Sequence, residues 1–426
     1  MEQANSLPQA FIESIQALMG PDRAQALFAA LGEEAPVSIR LNPFKAGKDR
    51  QVSEAWRPEP VPWCDGGFYL NAGRPAFTFD PLLHAGLYYV QEAASMMISH
   101  VLRTFVDGPV MMLDLCAAPG GKSTCAMGSL PAGSQLVSNE PIGQRASILC
   151  ENILKYGHRD IYVTSSYAKD FRRAGAVFDV ILADVPCSGE GMFRKDPTAI
   201  SEWSTEKVVQ CQRLQREIVA DIWPQLRPGG LFVYSTCTFN AHEDEENVAW
   251  MRDELGALPL PIPTEESWHI TGSLTDASLP VCRFLPGISR GEGLFMAVLR
   301  KPGDAAPAKP ISEASLRGVR LLAHGVRPDT IKGKNTIPDV SRALACTPTT
   351  DSYPRVDVTY EQAIAYLRRD AITLPPTAPR GIVEVCYRNC PLGFAKNIGN
   401  RANNLYPQEW KIRSTHVPDH PVDLLS

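Results

Sequence analysis

Between residues 110 and 300, short apolar runs alternate with longer amphipathic stretches, and this alternation limits the fold more than any other feature. The apolar runs are VMMLDLC, SQLVSNE, DIYVTSS, FDVILADVP, PGGLFVYSTC and GLFMAVLRK. Helical stretches such as GQRASILCENILKYG and TEKVVQCQRLQREIVADIWPQL lie between them. Strands that alternate with helices predict a parallel sheet covered by helices on both faces. We therefore predict an α/β fold that binds its ligands at the carboxyl ends of the strands.

The chain has 426 residues, which is too long for a single hydrophobic core and predicts more than one domain. Residues 7–31 predict two short helices separated by Gly20-Pro21, and residues 84–105 predict one helix. The segment KPGDAAPAKP has the composition of a linker. We place the domain limits at an N-terminal region 1–75, a central domain 76–300, a linker 301–310 and a C-terminal region 311–426.

The charge is unevenly distributed. The whole chain carries 42 Lys and Arg against 47 Asp and Glu, whereas residues 301–426 carry 17 against 12. A basic C-terminal region on an acidic body permits phosphate binding at that end of the chain.

The sequence predicts neither a membrane span, nor a secretory signal, nor a metal site. The sequence has no apolar run of about 18 residues, and its first residues do not show the basic region followed by an apolar stretch that is typical of a secretory signal. Its eleven cysteines are scattered and include no C-x-x-C pair. An odd number of dispersed cysteines predicts reduced thiols in a cytoplasmic protein without a metal site. We also expect a monomer.

The segment LDLCAAPGGKST places a glycine turn between a strand and a helix. It is not a phosphate-binding loop, because Cys116 stands where that motif requires glycine. A strand, Asp114, a tight turn and a helix instead predict close backbone approach to a nucleoside cofactor. Glu140 ends the next strand, 20 residues after Gly120, where an acid can bind ribose hydroxyls. The alternative is an ordinary glycine turn with two surface acids.

Two cysteines follow the ends of two different strands. Cys187 lies in DVPCSGEGM, three residues after Asp184, and Cys237 lies in STCT. Both loops are expected at the same edge of the sheet, where a thiolate is a candidate nucleophile. The alternative is that both are buried thiols. A cysteine hydrolase is less favoured, because the nearby His242 has no evident orienting partner and no G-x-S-x-G motif occurs.

Taken together, LDLCAAPGGKS, LADVPCSGEGMFRKDP, RPGGLFVYSTCT and GEGLFMAVLR resemble the Sun-type RNA (cytosine-C5) methyltransferases. VSIRLNPFK and YYVQEAASMM are similar to N-terminal segments of that family, and PLGFAKNIGNRANNLYPQEWKIR is similar to the RNA-binding end of its ribosomal-RNA members. The resemblance implies a Rossmann-like methyltransferase sheet, a small N-terminal α+β region that contacts RNA, and a C-terminal α+β, PUA-like RNA-binding region.

The resemblance also implies the reaction. S-adenosylmethionine would methylate carbon 5 of a cytosine in RNA, with small-subunit ribosomal RNA favoured over transfer RNA. Cys237 would be the nucleophile, Cys187 would assist its release, and Asp184 would lie between donor and base. Glu140 would bind the ribose of the donor. The loop that wraps the donor would be Cys116, Ala117, Ala118, Pro119, Gly120, Gly121 and Lys122.

Further residues are candidates for contact with the donor and with RNA. The family often has an aspartate after the third strand, near the adenine, and here Ser166, Tyr167 or Asp170 could take that place. The cations of RLNPFK, Arg40 and Lys45, together with the basic C-terminal region, are expected to contact RNA phosphates.

Overall fold

The computed structural model describes residues 7–47, 50–333, 335–347, 353–414 and 416–426. Its helices are α1 Gln9–Met19, α2 Pro21–Leu31, α3 Pro81–His84, α4 Met97–Phe105, α5 Gly121–Ser129, α6 Gly143–Tyr156, α7 Ala168–Ala174, α8 Pro197–Glu202, α9 Thr205–Ile222, α10 Glu245–Leu255, α11 Val340–Leu344 and α12 Tyr360–Leu367. None of the helices in these ranges is long and apolar enough to cross a membrane.

The strands form three larger sheets and one hairpin within the described ranges. They are β1 Ser38–Leu41, β2 Pro58–Pro60, β3 Gly67–Leu70, β4 Tyr88–Val90, β5 Met111–Asp114, β6 Gln135–Asn139, β7 Ile161–Thr164, β8 Phe178–Asp184, β9 Leu226–Thr236, β10 Leu258–Leu260, β11 Cys282–Phe284, β12 Leu294–Arg300, β13 Leu321–His324, β14 Thr330–Lys332, β15 Asn335–Ile337, β16 Arg355–Asp357, β17 Gly381–Tyr387, β18 Cys390–Asn397 and β19 Ala402–Asn404.

The central sheet has the order β10-β12-β9-β8-β5-β6-β7-β13, with β11 paired to β12. Its five inner strands, β5 to β9, are parallel, whereas β12 runs antiparallel to β9. The chain order reverses at β5, which lies between β6 and β8. This confirms the predicted α/β fold, and the reversal leaves a crevice at the carboxyl ends of β5 and β8.

Helices cover both faces of this sheet, as predicted. Successive strand residues alternate between two cores, because neighbouring side chains of a strand point to opposite faces. Met112 and Val180 lie in the core that includes α4, α5 and α6. Leu113 and Ile181 lie in the core that includes α7 and α9. All four side chains are fully or almost fully buried.

The N-terminal region adds a small antiparallel sheet and two helices. The sheet has the order β2-β3-β1-β4, and α1 and α2 are separated at Gly20-Pro21 as predicted. Phe11 of α1 packs against Phe193 and Trp203, with ring centroids 5.0 and 5.6 Å away. The first helix therefore packs against the chain segment that follows the Cys187 loop.

The prediction of one helix over residues 84–105 is wrong for its first half. Helix α4 begins only at Met97, and β4 pairs with β1 in the preceding stretch. Gly86 adopts φ +75°, which a continuous helix does not permit, and the chain turns there into the strand. A long-range strand partner thus overrides a helical pattern that is favourable locally.

The C-terminal region contains the sheet β16-β17-β18-β19, but its first strand joins the central sheet. Strand β13 pairs antiparallel with β7 and covers the edge of the sheet. The chain end is also tied to the N-terminal region, since Ser53 donates from its backbone to Leu424 and Ser426 donates to Gln51. The domain limits at 75, 300 and 310 stay predictions.

We expect Gly86→Ala to lower the free energy of unfolding by about 2–4 kcal/mol. A Cβ atom at position 86 would lie 1.9 Å from the carbonyl oxygen of Lys155, and the positive φ disfavours any side chain. Urea denaturation measures the loss. Gly108→Ala is the matched control, because a Cβ there meets no atom within 4 Å. Equal stability of the two variants would contradict the close approach.

Candidate active site

The crevice is built where β8 and β9 end side by side. The parallel register places Asp184 opposite Ser235, and the Ser235 hydroxyl donates to Asp184 Oδ1 at 2.7 Å. Lys122 of α5 donates to Asp184 Oδ2 at 2.9 Å. The carboxylate expected between donor and base is therefore held by a hydroxyl on one side and a cation on the other.

The two cysteine loops leave the sheet together from these strand ends. Cys187 Sγ and Cys237 Sγ lie 3.1 Å apart, and the Gly191 backbone N–H donates to the Cys237 carbonyl at 2.8 Å. Both side chains are partly exposed to the crevice. The hydrogen bond to Cys237, together with burial, raises the pKa of Cys187 well above its usual value. These surroundings favour the protonated thiol form of Cys187.

Lys122, the last residue of the glycine loop, lies beside Asp184. Burial alone would lower its pKa, but the charges of Asp184 and of Cys237 raise the pKa above the usual lysine value. The ammonium group therefore stays charged beside the Asp184 carboxylate, and it interacts electrostatically with Cys237. A cation in this position stabilises a thiolate. Its hydrogen bond and ion pair are both to Asp184.

The rest of the glycine loop is held by backbone contacts. The Ala117 N–H donates to the Asn139 carbonyl at 2.8 Å, and Asn152 donates to the Pro119 carbonyl at 2.8 Å. Arg145 donates to the Ala118 carbonyl at 3.1 Å. Helix α5 begins at Gly121, and no side chain of the residues that the structure describes caps its first turn. The loop thus presents the open N-terminus of a helix, which attracts negatively charged groups.

Two buried carboxyl groups flank this loop. Glu140 is 1% exposed, and its Oε1 accepts from the Ile142 N–H at 3.0 Å. Glu140 Oε2 has no hydrogen-bond partner among the described residues, although Arg145 lies 3.4 Å away. Asp114 is fully buried, and burial raises its pKa to about 7. Asp114 Oδ2 accepts from Ser123, which fixes the first turn of α5 to the end of β5.

The three residues considered for adenine contact differ in how their side chains are used. The Ser166 hydroxyl accepts from the Arg320 N–H at 3.0 Å, and Ser166 is almost buried. Asp170 Oδ2 accepts from the Tyr167 N–H at 3.0 Å and caps α7. Tyr167 is 58% exposed. Of the three, Tyr167 alone leaves its side chain largely open to solvent.

The expectation that Arg40 grips RNA phosphates is wrong. Arg40 is 3% exposed and donates to Gln91 at 2.8 Å and to Thr124 at 2.7 Å. It therefore joins the N-terminal sheet to α5. Lys45 is partly buried and donates to the carbonyls of Ala85 and Lys155, which stabilises a turn and the end of α6. The apparent phosphate motif is largely structural.

Sequence reasoning missed two buried glutamates beneath the cysteine loops. Glu190 and Glu243 are fully buried, and each accepts hydrogen bonds from the opposite loop. Nothing local distinguishes them from surface acids, since EDEEN reads as a solvated helix start. Their role becomes visible only when the two loops are placed side by side.

The geometry does not assemble a cysteine hydrolase. His242 is exposed and contacts Glu246 through Nδ1 at 2.9 Å. The hydrogen bonds of the described residues place no histidine against either sulfur. No cluster of three metal-ligating side chains occurs in the part of the chain that the structure describes.

Comparison with known proteins gives the family. The model described as "16S rRNA methyltransferase RsmB/F" matches residues 106–300. The RsmF N-terminal domain matches residues 7–93, and the RsmF PUA domain matches residues 353–412. A ribosomal RNA small subunit methyltransferase F of Aliivibrio fischeri is 30% identical over 95% of this chain and 97% of its own. The chain belongs to the RsmB/F family of 16S rRNA methyltransferases.

A second relative and two solved structures are also similar to this chain. A methyltransferase F of Pectobacterium atrosepticum is 34% identical over 71% of this chain and 64% of its own. The fold is similar to a methyltransferase homologue of Pyrococcus horikoshii, with a TM-score of 0.59 and 23% identity over 70% of this chain and 99% of that one. NSun6 of the same organism was solved with SFG, an S-adenosylmethionine analogue. Its TM-score is also 0.59, with 20% identity over 70% of this chain and 99% of that one.

S-adenosylmethionine is the cofactor of this family, and the residues at the crevice fit it. Glu140 offers a buried carboxylate oxygen that has no hydrogen-bond partner in the described part of the chain, which suits a ribose hydroxyl. The uncapped start of α5 suits the carboxylate of the methionine part. Glu140 and the loop of residues 116–121 would hold the cofactor, with Asp184 and Lys122 at its reactive end.

We expect Glu140→Ala to weaken S-adenosylmethionine binding by at least tenfold, because a hydrogen bond to a charged group contributes about 1.5–3 kcal/mol. Isothermal titration calorimetry on the free protein measures the affinity. Glu151→Ala is the control, since Glu151 forms an ordinary helical ion pair with Lys155. Unchanged affinity in Glu140→Ala would remove this residue from the cofactor site.

Proposed function

We propose that this rRNA methyltransferase methylates carbon 5 of a cytosine in 16S rRNA through a covalent bond between Cys237 and the base. The observation that carries the proposal is the 3.1 Å contact between two cysteines of different loops, beside Asp184 and Lys122. Methylation of an exocyclic nitrogen or a ribose oxygen needs no thiol. Carbon 5 of cytosine needs one, because it becomes nucleophilic only after a thiolate adds to carbon 6.

The residues divide the reaction between them. Lys122 and the Cys187 thiol stabilise the Cys237 thiolate, which adds to carbon 6 of a cytosine turned out of its stack. Asp184 shares a proton with ring nitrogen 3 and so stabilises the charge that addition creates. When bound, S-adenosylmethionine supplies a methyl group made electrophilic by the positive sulfur.

Cys187 acts in the second half of the reaction. After methylation, the carbon-5 proton must leave so that the bond from carbon 6 to Cys237 can break. Cys187 Sγ lies 3.1 Å from the sulfur that is bonded to carbon 6, so Cys187 is placed to accept that proton as a thiolate once its own proton has passed to solvent. The two sulfurs therefore have different duties, although they lie side by side.

Substrate contacts and compartment complete the proposal. Tyr167 stacks on the adenine of the cofactor, because among Ser166, Tyr167 and Asp170 it is the residue whose side chain is largely exposed. The C-terminal PUA domain and the N-terminal region bind the RNA around the target base. All eleven cysteines are free, which suits the reducing cytoplasm. The family of the chain favours ribosomal over transfer RNA.

We expect bisulfite sequencing of total RNA to show one 16S rRNA cytosine that is protected in the parent strain and converted in a deletion strain. Carbon-5 methylation slows deamination of cytosine by bisulfite, which is the physical basis of the readout. Complementation with the parent gene restores protection, and complementation with Cys237→Ala does not. A change confined to transfer RNA, or none, would contradict the proposed substrate.

We expect Cys187→Ala to accumulate enzyme bonded to methylated RNA, because addition and methylation proceed while release stalls. The adduct appears on a denaturing gel as a slow band that ribonuclease removes. Cys237→Ala should form no adduct and no product, since the nucleophile is absent. Cys211→Ala, which alters a partly buried thiol of α9, is the control and should turn over normally. An adduct in Cys237→Ala alone would reverse the two assignments.

A further inference from the structure

Glu190 of the Cys187 loop reaches across to the Cys237 loop. Its Oε2 accepts from the backbone N–H groups of Phe239 and Asn240 at 2.7 and 3.0 Å. Its Oε1 accepts from Trp203 Nε1 at 3.0 Å and from Asn240 Nδ2 at 3.0 Å. One buried carboxylate thus accepts from two backbone N–H groups, those of the second and third residues after Cys237.

Glu243 makes the same connection in the opposite direction. It follows Cys237 in the chain, and its Oε2 accepts from the Ser188 N–H, next to Cys187, at 3.0 Å. Gln215 donates to the same oxygen at 2.7 Å, and Asn240 donates to Glu243 Oε1 at 2.9 Å. Asn240 Nδ2 therefore lies between both carboxylates, and the two loops are joined reciprocally.

All of these partners are hydrogen-bond donors, so the arrangement requires acceptors on both oxygens of each side chain. A glutamine at either position would direct its own N–H groups at backbone or side-chain N–H groups. Both glutamates are fully buried, and burial raises the pKa of each above the usual value. Keeping two such acids side by side lowers stability, which is unusual for groups that serve packing alone.

We propose that Glu190 and Glu243 are positioning residues that hold Cys187 against Cys237, and that release of the methylated base depends on this contact. The statement about release of the methylated base rests on the function proposed above. The statement that the two glutamates hold the sulfurs together does not. Neither glutamate touches substrate or cofactor in this proposal. They act by fixing the backbone on which the two sulfurs are carried.

Disulfide closure measures the positioning directly. Diamide, an azo compound, takes up two electrons and two protons as the two thiols join, so the rate of closure reports how often the sulfurs meet. Mass spectrometry of tryptic peptides identifies the bond between positions 187 and 237. We expect the parent to close readily and Glu190→Gln and Glu243→Gln to close about tenfold more slowly, as loss of a buried acceptor costs about 1–3 kcal/mol.

Asp179→Asn is the matched control. Asp179 lies on β8, at the end far from the cysteines, and it is also a buried carboxylate that accepts from the Met111 and Ala308 N–H groups. The Asp179→Asn variant should be less stable than the parent and should form the disulfide at the parent rate. Parent rates in folded Glu190→Gln and Glu243→Gln would overturn the proposal, and so would an equal slowing in Asp179→Asn.

The adduct assay measures the consequence for release. Glu190→Gln should trap RNA as Cys187→Ala does, at a level that Asp179→Asn does not reach. If Cys187→Ala traps RNA and Glu190→Gln does not, the dependence of release is wrong and the function stands. If Cys187→Ala traps none, the covalent function is wrong, and the closure rates still decide the positioning.

A milder variant protects the test against unfolding. Trp203→Phe keeps the Glu190 carboxylate and removes one donor to Oε1. If the glutamine variants melt below the assay temperature, Trp203→Phe should slow closure about threefold relative to the parent, because one hydrogen bond contributes about 0.5–1.5 kcal/mol. A rate equal to that of the parent would then overturn the proposal.

Discussion

The pairing of β8 with β9 is the constraint on which the rest of the site depends. Its register sets Asp184 opposite Ser235, so the next residues of both strands leave the sheet at one level. Parallel strands are the arrangement that brings two carboxyl ends to the same edge. Cys187 and Cys237 are 50 residues apart in the chain, and only this register makes them neighbours.

Features that depend on residues close together in the chain could be predicted from the sequence. The strands of the central sheet, the glycine loop and both cysteine loops carry motifs within a few residues of each other, and the structure places them at one crevice. The first half of the predicted helix over 84–105 was wrong because the strand with which it pairs, β1, lies far away in the chain. Arg40 was misread for the same reason, since Gln91 and Thr124 satisfy it from other elements. The partner of Lys122 and the roles of Glu190 and Glu243 also depend on distant contacts.

Charge burial distinguishes the crevice from the cores around it. Asp114, Glu190 and Glu243 all have raised pKa values because burial disfavours their charged forms. For an acid of this kind, stability falls as the pH rises from its unfolded to its folded pKa. The two apolar cores on the faces of the sheet must supply the stability that these acids remove. Such a concentration of costly groups is typical of catalytic sites.

Strand β13 has a consequence for the order in which the chain folds during synthesis. The edge strand β7 is translated early, but its partner, residues 321–324, leaves the ribosome only after the catalytic motifs. Until then β7 presents open backbone groups, which is a site for wrong pairing. Completion of the catalytic sheet therefore waits for the segment that leads into the PUA domain, so nascent chains do not finish this sheet before synthesis of the C-terminal region has begun.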